Sequence, residues 1–204
     1  MAAHRLPRLR AALPRSLLQR TRLVFLCAPQ RPISCFAGRP RQYAWHDYFT
    51  DHGGIEGRPN LEEEIDLDHL RWSRAQVHEA IDREAALLGE AGLSRIALVG
   101  ESQGACVALD AALSYPSGLL GGVFSSYGML YSHSEAPPEK RDQPIAAFIG
   151  AGDRCIGAGL ALRSFSRLLE AGYANVRIDV EPRFKHVHEP APGVPQSPSL
   201  VAPR

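Results

Sequence analysis

Short apolar runs alternate with helical spacing along the middle of this 204-residue chain. Leu23-Val24-Phe25-Leu26, Ile96-Ala97-Leu98-Val99, Leu119 to Ser126 and Ile145-Ala146-Ala147-Phe148-Ile149 read as buried strands. Val176-Arg177-Ile178-Asp179-Val180-Glu181 alternates apolar and polar, as a strand with one wet face does. Between these runs lie helical patterns. Leu70, Val77, Ile81 and Leu88 recur at helical spacing from near Asp66 to Leu88, and Gly89 is a stop signal. Ala105 to Leu113 reads as a second helix, and Gly159 to Glu170 as a third with Ala161, Phe165, Leu168 and Leu169 on one side. Strand followed by helix, repeatedly, predicts an α/β fold: a mostly parallel sheet with helices on both faces.

The remaining stretches are loops and ends. Glu62, Glu63, Glu64, Asp66 and Asp68 suit the start of a solvated helix better than a metal site. Tyr43-Ala44-Trp45-His46-Asp47-Tyr48-Phe49 puts aromatics on a loop, where they either wall a hydrophobic groove or anchor the loop to the core. His46 and Asp47 are neighbours in sequence and rarely could point at each other, so both read as structural. Tyr131 to Arg141 reads as a polar loop. From Pro190 onward there are five prolines and no periodicity, which predicts disorder. Residues 1–46 contain no Asp or Glu but nine arginines. Such a start fits an organelle transit peptide or a surface helix, Leu9 to Gln19, interrupted at Pro14. The helix is preferred because the stretch runs straight into the Leu23 strand. The expected organisation is a basic segment over 1–22, one domain over 23–189 and a tail over 190–204.

Composition narrows this little further. Apolar content of 45% and charged content of 22% suit a globular domain. A net charge of +1 gives no reason to expect a nucleic-acid partner. No apolar run approaches the ~20 residues of a membrane span. Cys27, Cys35, Cys106 and Cys155 form no C-x-x-C pair, which argues against structural zinc and for free thiols in a reducing, cytoplasmic setting.

The chemistry centres on Gly100-Glu101-Ser102-Gln103-Gly104. Strand, Gly-x-Ser-x-Gly and helix form the context of a nucleophile elbow, a sharp turn that projects the serine hydroxyl above the sheet. The Gln103 N–H then sits at a helix N-terminus, where it can hold an oxyanion. A serine hydroxyl needs a histidine to take its proton and a carboxylate to orient the imidazole. Asp153 follows the Ile145 strand, and His186 and His188 follow the Val176 strand. Sites in such sheets form outside the carboxyl ends of the strands.

From about Arg22 to Glu189 the chain resembles the phospholipase/carboxylesterase family of α/β-hydrolases, which includes the acyl-protein thioesterases. The resembling segments are Cys27-Ala28-Pro29-Gln30-Arg31-Pro32-Ile33, Ala44-Trp45-His46-Asp47-Tyr48, the elbow, Gly150-Ala151-Gly152-Asp153 and the His186 region. The resemblance implies hydrolysis of carboxylic esters or acyl thioesters, including those of lipidated proteins, without metal or cofactor. It implies Ser102 as nucleophile and Asp153 as orienting acid. For the base, the ten residues from Val176 to His186 fit the family spacing, while His188-Glu189 resembles its Gly-His-Glu ending; His186 is preferred. Two departures stand out. No His-Gly loop, the family's second oxyanion donor, precedes Leu23, and a proline-rich tail replaces the last helix. The chain is therefore expected to be an N-terminally truncated hydrolase fold. It is either a serine hydrolase or a catalytically weak relative that binds acyl chains or a partner.

Overall fold

The computed structural model describes residues 14–36, 41–50, 60–90 and 92–186. Within them lie a short helix α1 (Arg15–Leu18), two-residue strands β1 (Gln30–Arg31) and β2 (Gln42–Tyr43), and the long helix α2 (Leu67–Leu88). Then follow β3 (Ala97–Glu101), α3 (Gln103–Ser114), β4 (Gly122–Ser126), β5 (Ile145–Gly150), α4 (Ala158–Glu170) and β6 (Val176–Glu181). β1 and β2 form an antiparallel pair, and β3-β4-β5-β6 form a wholly parallel sheet in that order. This is an α/β-hydrolase-type sheet, and its helical connections are what parallel pairing requires.

Register explains which side of the sheet is dry. Directly paired residues in a parallel sheet share a face, so Leu98, Val123, Ile145 and Val176 point one way. Val123, Ile145, Ala147 and Ile149 on that face are buried in one cluster with Leu70, Val77 and Ile81 of α2, Cys106 to Leu113 of α3, and Leu160, Phe165 and Leu168 of α4. The opposite face carries Val99, Phe124, Ala146 and Arg177. Val99 is 74% exposed, Phe124 and Ala146 are half-buried, and Arg177 lies in water. Among the described residues, then, the three long helices cover one face of the sheet.

Local signals set the helix ends. The Asp66 side chain accepts from the His69 N–H at 2.9 Å and caps α2, and Gly89 ends it at φ 74°. Asp68, in the first turn, complements the helix dipole.

Three expectations are corrected. Helices are expected on both faces of the sheet, but among the described residues they cover one. Leu23 to Leu26 is not a buried strand: residues 21–29 pair with no strand, and Val24 and Phe25 are 46% and 40% exposed. Apolar content alone cannot make a strand without a neighbour, and among the described residues β3 pairs only with β4. Leu26 still packs against the core, and Arg22 pairs with Glu84 of α2 at 3.3 Å. The stretch from Tyr131 to Arg141 is not simply a polar loop either. Tyr131, Ser134 and Lys140 are buried: Arg167 of α4 donates to the carbonyls of Tyr131 and Ser134 at 2.8 and 2.9 Å, and Lys140 donates to the carbonyl of Gly118. Of the basic start, Leu9 to Leu13 lie outside the described residues, as does the tail from Pro190.

Candidate active site

Ser102 stands between β3 and α3 with φ 55° and ψ −127°, a conformation that a residue with a side chain rarely adopts. Its N–H donates to the Ser126 carbonyl at 2.8 Å, which ties the turn to the end of the neighbouring strand β4. Gly100 is what lets the turn close. A Cβ there would lie 2.3 Å from the Gly104 carbonyl oxygen and 2.5 Å from the Ala105 Cα, both backbone atoms that cannot step aside. Gly104 is under less constraint: a Cβ there would meet only the Trp45 ring nitrogen, at 3.4 Å. Behind the turn, Cys106 is wholly buried, and burial pushes its thiol up to about 12. It donates weakly to the Ser102 carbonyl at 3.4 Å and accepts from the Met129 N–H at 3.3 Å.

Asp153 stands just past the end of β5. Its Oδ1 accepts from the N–H groups of Cys155 and Ile156 at 2.8 and 3.0 Å. That leaves Oδ2 to face the Nδ1 of His186 at 2.7 Å. The Nε2 of His186 lies 2.7 Å from the Ser102 Oγ. The three sequence-predicted residues therefore form one continuous relay from carboxylate to imidazole to hydroxyl. The loop that carries the histidine is seated by Gly150 and Gly152. The Gly152 N–H donates to the Phe184 carbonyl at 3.0 Å, and a Cβ on Gly150 would lie 2.6 Å from that same oxygen. Phe184 stacks edge-on against Phe148, and Tyr127 meets both Phe148 and His186 in the same manner. The Asp153 side chain is 2% exposed and that of His186 is 18%, so water reaches the relay from the histidine side. His188 lies outside the described residues.

The Gln103 side chain makes contacts that its sequence position conceals. Its side-chain oxygen accepts from the Trp45 N–H at 2.7 Å, and its side-chain nitrogen donates to the His46 carbonyl at 2.9 Å. The first residue of α3 thus clamps the aromatic loop beside the elbow. His46 and Asp47 do not face each other. The His46 ring is buried between the Asp47 carbonyl at 3.0 Å and the Tyr131 hydroxyl at 2.5 Å, and Asp47 accepts from the N–H and hydroxyl of Ser34 at 2.6 and 2.5 Å. Burial, reinforced by nearby Arg31, lowers the His46 imidazole to about 4. Within the aromatic cluster Trp45 and Tyr48 pack against the core, while Tyr43 and Phe49 are half exposed. No signal in the sequence marks Gln103 as a clamp. The pairing of one amide with two backbone groups 57 and 58 residues away is visible only in three dimensions.

Potential metal donors come together at one place among the described residues: Asp153, Cys155 and His186 bring their ligand atoms within 4.8 Å of one another. The acidic residues before α2 do not gather in this way. All four cysteines are free, Cys27 and Cys155 being exposed. No helix of the described residues is long and apolar enough to cross a membrane.

Comparison with known proteins agrees with this architecture. Among solved structures, the chain is similar to SOBER1 from Arabidopsis thaliana, at 25% identity and a TM-score of 0.74 over 87% of this chain and 81% of that one. Acyl-protein thioesterase 2 from Zea mays follows the same fold at 23% identity and a TM-score of 0.63, covering 86% and 80% of the two chains. The Bacillus cereus carboxylesterase does so at 19% identity and a TM-score of 0.52, over 67% and 66%. No curated protein sequence is significantly similar. The sequence profile of the phospholipase/carboxylesterase family matches residues 11–188, nearly all of the elements above, and the chain belongs to that family of α/β-hydrolases.

Proposed function

We propose that this protein is a serine hydrolase that cleaves carboxylic esters or acyl thioesters through an acyl-enzyme. The observation that carries the reading is the continuous relay of Asp153, His186 and Ser102, with both hydrogen bonds at 2.7 Å. In this reading the His186 Nε2 takes the Ser102 proton as Oγ attacks the acyl carbonyl. Asp153 keeps the second imidazole proton on Nδ1, so that Nε2 has a lone pair to accept with, and stabilises the imidazolium that forms. The Gln103 N–H, at the N-terminus of α3, holds the developing oxyanion. Collapse of the tetrahedral adduct expels the alcohol or thiol, which takes its proton from His186. Water then repeats the sequence on the acyl-serine and releases the acid. The hydrolase unit is taken as residues 23–189, and His186 rather than His188 as the base, a choice supported by the 2.7 Å contact between His186 Nε2 and Ser102 Oγ.

Family membership supports the acyl substrate class, and the likeness to the maize acyl-protein thioesterase makes acyl thioesters, including those of lipidated proteins, the second class to assay. A fluorophosphonate probe is expected to label the wild type and not Ser102→Ala, with ester hydrolysis lost in parallel. Equal labelling of the two proteins would remove Ser102 from the role.

A further inference from the structure

We infer that the protein carries an inhibitory zinc site built from Asp153, Cys155 and His186. Three observations lead there. One ligand atom from each of the three residues lies within 4.8 Å of the others, and since tetrahedral zinc sets its ligands roughly 3.3–3.6 Å apart, the exposed Cys155 side chain turns inward to complete the set. The Cys155 side chain is exposed, so an ion reaches the cluster from solvent, and its thiol is free. The carboxylate is held in advance: Oδ1 is fixed by the N–H groups of Cys155 and Ile156, which leaves Oδ2 as the ligand.

The donor set suits the ion. Zn²⁺ takes sulfur, nitrogen and oxygen ligands together in tetrahedral sites, with Zn–S of about 2.3 Å and Zn–N and Zn–O of about 2.0–2.2 Å, and keeps water in a fourth position when protein supplies three. Such bonds set the nitrogen and oxygen ligands roughly 3.3 Å apart. His186 Nδ1 and Asp153 Oδ2 now lie 2.7 Å apart, so the pair opens by about half an ångström to admit the ion. Of the two imidazole nitrogens, Nδ1 is the one beside the carboxylate and is therefore the ligand.

The proton balance makes the site inhibitory. Cys155 binds as thiolate, and its proton leaves to solvent. The imidazole stays neutral, but Nδ1 gives its lone pair to the metal, so the single ring proton must sit on Nε2. That proton then faces the Ser102 Oγ across the 2.7 Å contact, where the proposed reaction needs a lone pair. A bound ion thus holds the imidazole in the tautomer that cannot take the serine proton. The inhibitory half of the inference rests on the proposed hydrolase reading; the binding half does not.

The test reads binding and inhibition separately. Metal-free protein is titrated with Co²⁺ as a spectroscopic stand-in, followed by displacement with Zn²⁺. The expected result is a thiolate-to-cobalt charge-transfer band that saturates at one ion per chain. It should persist in a Cys27→Ser, Cys35→Ser double variant and vanish in Cys155→Ser. In parallel, p-nitrophenyl acetate hydrolysis should fall with Zn²⁺ and return with EDTA. Measured against its own metal-free rate, Cys155→Ser should require far more Zn²⁺ for the same fractional inhibition, by more than the ~10–100-fold that loss of an outer-shell partner costs in affinity. Absence of the band, or its survival in Cys155→Ser, would overturn the site. A band accompanied by undiminished Ser102-dependent hydrolysis at saturating Zn²⁺ would overturn the inhibition. If no Ser102-dependent hydrolysis is found at all, the hydrolase reading fails, and the inhibitory claim with it, while the band still decides whether the site exists.

Discussion

Acid should loosen this protein through His46 before it reaches the carboxylates. The His46 ring is 0% exposed and its pKa is lowered from 6.5 to about 4, chiefly by burial. Its ring nitrogens sit between the Asp47 carbonyl and the Tyr131 hydroxyl, so Nδ1 carries the proton and Nε2 accepts from the phenol. A second proton would oppose two donors across a 2.5 Å contact, near Arg31. Above pH 6.5 the imidazole is neutral whether the chain is folded or not, and pH has no leverage through it. Between 6.5 and about 4 the unfolded chain binds a proton that the folded chain refuses, so stability falls as the pH falls. Below about 4 the contribution is flat. A displacement of about 2.5 units corresponds to about 3 kcal/mol. The assay is urea unfolding at intervals from pH 4 to 7.5, for the wild type and for His46→Gln, which retains an amide donor and acceptor in a similar volume. The wild type should lose about 3 kcal/mol more than the variant over that range. Parallel curves would refute the reasoning and would mean that the ring is protonated in place. Since the His46 carbonyl is what the Gln103 side chain holds, the clamp beside Ser102 should persist in the folded chain down to about pH 4, where the ring takes its proton, and loosen only below it.

Three further outcomes follow from the geometry. Asp153→Asn keeps an oxygen for the Cys155 and Ile156 N–H groups but turns an NH₂ toward His186 Nδ1, forcing the proton onto Nε2; kcat for ester hydrolysis should fall by ~10⁴, and a loss under ten-fold would exclude the orienting role. Gly100→Ala sets a methyl 2.3 Å from the Gly104 carbonyl oxygen, so unfolding in urea should show a loss beyond the ~1–3 kcal/mol of ordinary overpacking, and an unchanged midpoint would mean the elbow is looser than drawn. Asp110, 1% exposed, accepts from Arg74 Nε at 2.8 Å, from a second Arg74 nitrogen at 2.9 Å and from Ser134 at 2.6 Å. Asp110→Ala should destabilise by about 2–3 kcal/mol, short of the ~3–5 for a fully buried pair because Arg74 keeps access to water; a loss under 1 kcal/mol in the same assay would show that Arg74 finds other partners.

The legible and the illegible parts of this chain differ in kind. β5, β6, α2 and α4 could be read from sequence because each is specified locally, by an apolar period together with a stop such as Gly89 or an N-cap such as Asp66. The elbow was legible for the same reason: Gly100 answers a steric demand made by residues only four and five positions away. Leu23 to Leu26 misleads because a strand is not a local object. Four apolar residues satisfy every intrinsic preference and still need a neighbour's N–H and C=O groups, which the sequence of the strand itself does not contain. The Gln103 clamp and the buried relay from His46 to Tyr131 were hidden likewise, since each joins residues more than fifty positions apart.

The distribution of order in the sheet bears on how the site keeps its geometry. Among the described residues β3, which delivers Ser102, has a neighbour on one side only, and Val99 at its centre is the most exposed large apolar residue. An edge strand is ordinarily the loosest part of a sheet. Yet the backbone around Ser102 is held from the other side. The Ser102 N–H is tied to β4, α3 packs along its whole length into the core, and Gly100 is locked against the first turn of that helix. Asp153 and His186 hang from β5 and β6, which pair with each other along six residues, and β6, like β3, has a neighbour on one side only among the described residues. The relay is thus assembled entirely from the contiguous strands β3 to β6 and the helices packed on their covered face. Substitutions that disturb residues 21–29 therefore act on the aromatic loop and on whatever substrate surface it lines, while leaving the hydrogen bonds among Asp153, His186 and Ser102 in place. Changes within β4, which joins the strand of one of the three residues to the strands of the others, reach all of them at once.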